Sequence, residues 1–209
     1  MPEKRFPSET LALVAFGGNL PSLAGSTQVT LLSALRDIVN SPQIRVIAVS
    51  RLWQSPAWPA GSGPDYTNGA FAAKTSLGAE ETLAFLHGIE AERGRVRDGR
   101  RWGARGIDLD LIAWGDRVLP DVASHDAWRG LPPEDQARQA PDRLILPHPR
   151  MQDRGFVLAP LAEIAPGWVH PRLGQSVAQM LAALPAAALD GMKPLTACHS
   201  RGDCRNIRL

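Results

Sequence analysis

The chain has 209 residues, of which 44% are hydrophobic and 21% charged, and its formal net charge is +2. That balance fits one soluble globular core and excludes a disordered, fibrous or broadly polyanion-binding protein. Cys198 and Cys204 are the only cysteines, Met1 to Glu9 lacks the apolar run of a signal peptide, and no stretch approaches a membrane span, so a cytoplasmic protein without a disulfide framework is expected.

Taken in chain order, Thr10 to Phe16 is a short apolar run ending at Gly17-Gly18-Asn19, as a buried strand meeting a turn. Leu31, Leu32, Leu35, Ile38 and Val39 recur at helical spacing from Ser26 onward, and Asn40-Ser41-Pro42 stops them. Ile44 to Trp53 and Asn68 to Ser76 read as strands around a Gly/Pro-rich loop. Glu80-Glu81 opens a second helix, with Leu83, Leu86, Ile89 and Glu90 on one face, and Arg93-Gly94 closes it. Ile107 to Trp114 alternates as a strand, Trp128 to Pro141 is polar and reads as an exposed insert, and a last helix covers Ser176 to Leu184. This order predicts an α+β, ferredoxin-like fold of split βαβ units, an antiparallel sheet with helices packed on one face. The expected layout is an extension over 1–9, a single domain over 10–189 with a surface insert near 120–143, and a polar tail over 190–209.

Asp108 and Asp110 are two apart on a strand, so their carboxylates share a face while Ile107, Leu109 and Leu111 take the other. A solvated strand face would explain the pair, and so would a magnesium site, since magnesium uses one or two carboxylates plus substrate phosphates. Arg95, Arg97, Arg101 and Arg105 lie just upstream, and guanidinium forks suit phosphate oxygens; a solvated charge run is the alternative. Trp102 is either core or part of a closing loop. Tyr66, Asn68 and Phe156 offer stacking faces and an amide edge to a flat heteroaromatic ring, and His148 is held between Pro147 and Pro149 as a phosphate donor or a plain turn residue. The Gly17-Gly18-Asn19-Leu20 turn lacks phosphate-loop spacing.

As a set, GGNL, SPAW with DYTNGA, IEAERGRVR, RRWGARGIDLDLIAWG and LILPHPRMQDRGFVLAPLAEIAP resemble the 6-hydroxymethyl-7,8-dihydropterin pyrophosphokinases from about Leu11 to Pro171. The resemblance implies diphosphate transfer from ATP to hydroxymethyl-dihydropterin in folate biosynthesis, with release of AMP. It implies two magnesium ions on Asp108 and Asp110. Arg95, Arg105, His148 and Arg154 would be catalytic. The pterin would lie among Ser55, Pro56, Trp58, Tyr66, Asn68, Trp102 and Phe156. ATP would meet His87, Glu90, Arg95, Arg97, Arg105, Leu111, His148 and Arg154. His87 stands where the family often has glutamine, and Asp98 where some members have lysine. Small-molecule partners are expected, with no nucleic acid or membrane, and a monomer. An RNA-binding module lacks the exposed sheet aromatics it would need, and a two-metal nuclease or sugar transferase would not explain the arginine-tryptophan loop.

Overall fold

The computed structural model describes residues 9–21, 25–57, 61, 63–95 and 106–195. Among the described residues, six strands and six α-helices follow one another as β1 (Thr10–Gly18), α1 (Thr27–Asn40), β2 (Ile44–Val49), β3 (Trp53–Ser55), β4 (Tyr66–Thr75), α2 (Ala79–Glu92), β5 (Asp108–Trp114), α3 (Val122–Gly130), α4 (Pro133–Arg138), α5 (Gly155–Ile164), α6 (Val177–Ala183) and β6 (Lys193–Pro194). The strands form one antiparallel sheet in the order β5-β1-β4-β3-β6, and β2 also pairs with β4, so β2 and β3 share one edge of that strand. This is the mixed helix and antiparallel-sheet class expected.

Local chemistry sets the helix ends. The Ser26 hydroxyl caps α1 by accepting the Val29 N–H at 3.4 Å. At α2 the Glu81 side chain reaches back to accept the Gly78 N–H at 2.7 Å. Gly94 follows α2 at φ +79, a left-handed conformation that glycine adopts without a Cβ penalty.

One face of the sheet packs Val14, Phe16, Phe71 and Leu109 against α1 and α2 through Leu31, Leu35, Ile38 and Leu86. The other face is covered as well. Leu13, Ala15, Ala70, Ala72 and Ile112 pack against Val157, Leu158 and Leu161 of α5 and Val177 and Met180 of α6. The expectation of helices on a single face is therefore corrected. The sequence of α5, GFVLAPLAEI, is buried on nearly all sides and carries Pro160, so it shows no amphipathic stripe.

The stretch near 120–143, expected as a surface insert with an exposed excursion over Trp128 to Pro141, contains α3 and α4, and His125 of α3 is fully buried. The Asp121 carboxylate caps α3 by accepting the Ser124 N–H at 2.8 Å. The start of the expected polar tail is a strand: β6 pairs with β3, and the Leu195 N–H donates to the Leu52 carbonyl at 2.7 Å.

A register shift positions the functional face. Leu13 pairs with Ala113 and Val14 with Leu111, which leaves Ile112 as the extra residue of a bulge in β5. Its carbonyl accepts the His148 N–H at 2.8 Å, tying the loop before α5 to the strand that carries the two aspartates.

Candidate active site

The register places Asn68, Gly17 and Asp108 side by side on β4, β1 and β5. Partners across an antiparallel ladder point to the same face, and neighbouring strands lie about 4.8 Å apart, so Asn68 and Asp108 stand roughly 10 Å apart with only Gly17 between them. The Asn68 amide leans over Gly17, where an added Cβ would lie 2.7 Å from the Asn68 side-chain oxygen. Asp110, one pleat further on β5, pairs with Ala15, itself opposite Ala70. Small residues thus floor the space beside the aspartates.

Asn68, Asp108 and Asp110 face a cleft of about 1110 Å³. Ser55, Pro56, Tyr66, Asn68, His87, Arg95, Asp108, Asp110, Leu111, His148, Arg154 and Phe156 all line it. Every site residue expected from sequence and described in the structure is there except Glu90. Trp58, Arg97, Trp102 and Arg105, with Asp98, lie outside the described residues.

Glu90 sits behind the wall, 1% exposed, where its carboxylate accepts the Leu109 N–H at 2.7 Å and pairs with Arg95. Arg95 pairs with Asp108 as well. Burial works against the Arg95 charge, but Asp108 and Glu90 outweigh it and raise its pKa. Glu90 therefore acts on the cleft through Arg95 and the start of β5.

Asp110 has a pKa raised to about 7, chiefly by burial and then by the neighbouring Asp108 charge, against which Arg154 works. Two adjacent carboxylates that cannot comfortably ionise together are the donor set a hard divalent cation relieves. Arg154 immediately precedes α5, and its guanidinium lies over the Phe156 ring at 5.6 Å. Burial lowers its pKa, and the two aspartates oppose that loss.

His148 has a pKa lowered to about 3 by burial and then by Arg154 and Arg150. Its Nδ1 accepts the Arg150 N–H at 3.2 Å, so the neutral ring carries its proton on Nε2 and is a donor at the cleft wall. At the other end, the Asn68 amide donates to the Ser55 hydroxyl at 2.8 Å, and both are buried. Phe156 is 39% exposed.

Sequence reasoning did not find Trp128, Arg143 and Arg150 in the cleft wall, nor Ala188, Asp190 and Met192. The last three come from the segment between α6 and β6, which packs directly on Gly155 and Pro56. Nothing in its composition signals this; only the three-dimensional return of the chain to β3 does.

Residues 13–166 match the family of 7,8-dihydro-6-hydroxymethylpterin-pyrophosphokinases. The chain belongs to this family. Within it, the chain is 37% identical over 183 residues to the 2-amino-4-hydroxy-6-hydroxymethyldihydropteridine pyrophosphokinase of Synechocystis, covering 88% of this chain and 80% of that one. It is 36% identical to the enzyme of the same name from Pseudomonas aeruginosa, over 85% of this chain and 93% of that one. Among solved structures, wild-type HPPK-DHPS of Plasmodium falciparum superposes over 86% of this chain with a TM-score of 0.59 at 13% identity. At that identity the likeness speaks for the fold alone, and the chain spans only 42% of that longer protein.

Proposed function

We propose that the cleft is where the chain works as a diphosphokinase, with the pterin at the Asn68 end and the triphosphate of ATP at the Asp108–Asp110 end. The enzyme transfers diphosphate to 6-hydroxymethyl-7,8-dihydropterin in folate biosynthesis, with ATP as co-substrate. The observation that carries the division of the cleft is the Asn68–Gly17–Asp108 register, which sets an amide edge and an acidic pair on one face with only a glycine between them.

Asp108 and Asp110 would hold two magnesium ions; the raised Asp110 pKa and the adjacency of the carboxylates fit that donor set. Bound there, magnesium supplies neutralisation of charge on the phosphate oxygens. Arg154 supplies fixed positive charge from α5, and Arg95, locked between Glu90 and Asp108, keeps the Asp108 carboxylate oriented. His148 offers a neutral Nε2–H to a phosphate oxygen. Phe156 and Tyr66 offer their rings to the faces of the pterin, and Asn68, steadied by Ser55, offers its amide to the edge.

In this reading the hydroxymethyl oxygen attacks the β-phosphorus in line and AMP leaves. Little covalent work falls to the protein: it holds the two substrates and stabilises charge on the oxygens of the transferring group. The acidic pair and the arginines face ATP, a small anion, and the two-cysteine composition supports a cytoplasmic setting.

Purified protein incubated with magnesium, ATP and hydroxymethyl-dihydropterin tests the reading. AMP formed only when the pterin is present supports it. ADP as the nucleotide product would overturn it.

A further inference from the structure

Pro147 and His148 are held by a residue that does not itself line the cleft, and, resting on the diphosphokinase reading of the site, we infer that His125 is a positioning residue that fixes His148 through the Pro147 carbonyl. His125 lies on α3, is fully buried, and its Nε2 is 3.0 Å from the Pro147 oxygen. Proline has no N–H, so this carbonyl is the only backbone hydrogen-bonding group Pro147 possesses. A carbonyl only accepts. Nε2 must therefore carry the proton, and Nδ1 is left with a lone pair.

His170, packed beside it at a ring separation of 5.7 Å, carries its proton on the same nitrogen but is bonded through the other one. Its Nδ1 accepts the N–H groups of Arg172 at 3.1 Å and Leu173 at 3.3 Å, so its proton is on Nε2. Burial lowers the pKa of both rings and keeps them neutral. His125 Nδ1 and His170 Nε2 are buried without a hydrogen-bond partner among the described residues. An apolar side chain would fill the His125 position without leaving a polar atom stranded. What the imidazole adds is the bond to Pro147 and, on its other side, an Nδ1 that faces the Asp126 carboxylate at 3.7 Å.

That bond completes a set of three. Leu146 exchanges backbone hydrogen bonds with Leu119 at 2.8 and 3.1 Å, Pro147 is held by His125, and the His148 N–H is held by Ile112 at 2.8 Å. Three consecutive residues are gripped by three different parts of the chain, and the last presents its ring to the cleft. Helix α3 is itself pinned on its outer side, where Arg172 donates to the two Asp126 oxygens at 3.2 and 2.6 Å. Less than one turn after His125, Trp128 joins the cleft wall.

The test compares His125→Phe, His125→Gln and Arg172→Ala by steady-state kinetics in the pterin-dependent reaction and by thermal melting. Gln can place an amide N–H near the imidazole Nε2 position; Phe cannot donate. The expected result is a kcat at least about tenfold lower for H125F with KM for both substrates within about twofold, since a displaced catalytic group costs turnover more than binding. H125Q should recover most of that loss, and R172A should lower the melting temperature while keeping kcat. If H125F does not fold, His125→Asn, too short to reach the carbonyl, takes its place against H125Q. A kcat within about twofold of the parent in H125F, or a loss that H125Q fails to recover and R172A reproduces, would overturn the inference. A parent enzyme without pterin-dependent AMP release would overturn the reading of the site as well.

Discussion

The Glu90 carboxylate accepts the Leu109 backbone N–H at 2.7 Å, which joins the end of α2 to the strand carrying both aspartates. Because Glu90 also pairs with Arg95, and Arg95 with Asp108, one buried carboxylate sets the positions of a cation and an anion at the cleft. Glu90→Ala strands the Leu109 N–H and leaves the Arg95 charge short of a partner, a change of the kind that costs about 3 kcal/mol. Urea denaturation should show that loss. Turnover should fall by about tenfold or more, because Arg95 and Asp108 lose their fixed geometry. Wild-type stability in the variant would show that the buried pair contributes nothing.

Asp110 gives the pH dependence. Its folded-state pKa is raised to about 7 from an ordinary 3.8, so between roughly pH 4 and 7 the unfolded chain has already released this proton while the folded one holds it. The unfolded state then binds fewer protons, and stability falls as pH rises through that window. Asp110→Asn removes the burden: in the absence of metal, its melting temperature at pH 8 should exceed that of the parent by about 3 °C or more. The same variant should lose at least about 100-fold in kcat through loss of the charge clamp. A destabilised and fully active D110N would contradict both statements.

A proton and a divalent cation also compete for Asp110. Magnesium binding to the free enzyme should tighten by up to about tenfold for each unit that the pH rises towards 7, and level off above it. Isothermal titration at pH 6 and pH 8 measures this directly; equal affinities at the two values would argue that Asp110 is not a ligand.

The segment between α6 and β6 stands against Gly155, where an added Cβ would run into the Ala188 carbonyl and lie 2.8 Å from a Leu189 methyl and 3.2 Å from the Met192 sulfur. Gly155→Ala should push this wall off the start of α5. The expected outcome is a KM for the pterin raised several-fold, with KM for ATP changed little. Equal effects on both would mean that the segment is general scaffolding.

Much of this architecture is legible in the sequence where periodicity meets a clear stop. Ser26 and the Leu31–Leu35–Ile38 stripe give α1, and Asp108-x-Asp110 on an alternating strand gives the acidic face. Helix α5 is hidden because burial on nearly every side erases the amphipathic signal, and α3 because its one fully buried residue is a histidine among polar neighbours. Strand β6 is two exposed residues, Lys193 and Pro194, whose pairing with β3 depends on tertiary return of the chain and not on propensity. Glu90 falls on the expected face of α2, but its partners, Leu109 and Arg95, are set by packing that no local pattern encodes.

Diphosphate transfer requires that both terminal phosphates of ATP move together onto the pterin. The direct measurement uses ATP labelled at the β-phosphorus, with magnesium, hydroxymethyl-dihydropterin and the purified enzyme, followed by separation of the pterin product from nucleotide. Label recovered with the pterin in step with unlabelled AMP is the predicted result. Label remaining in the nucleotide, as ADP, would contradict it.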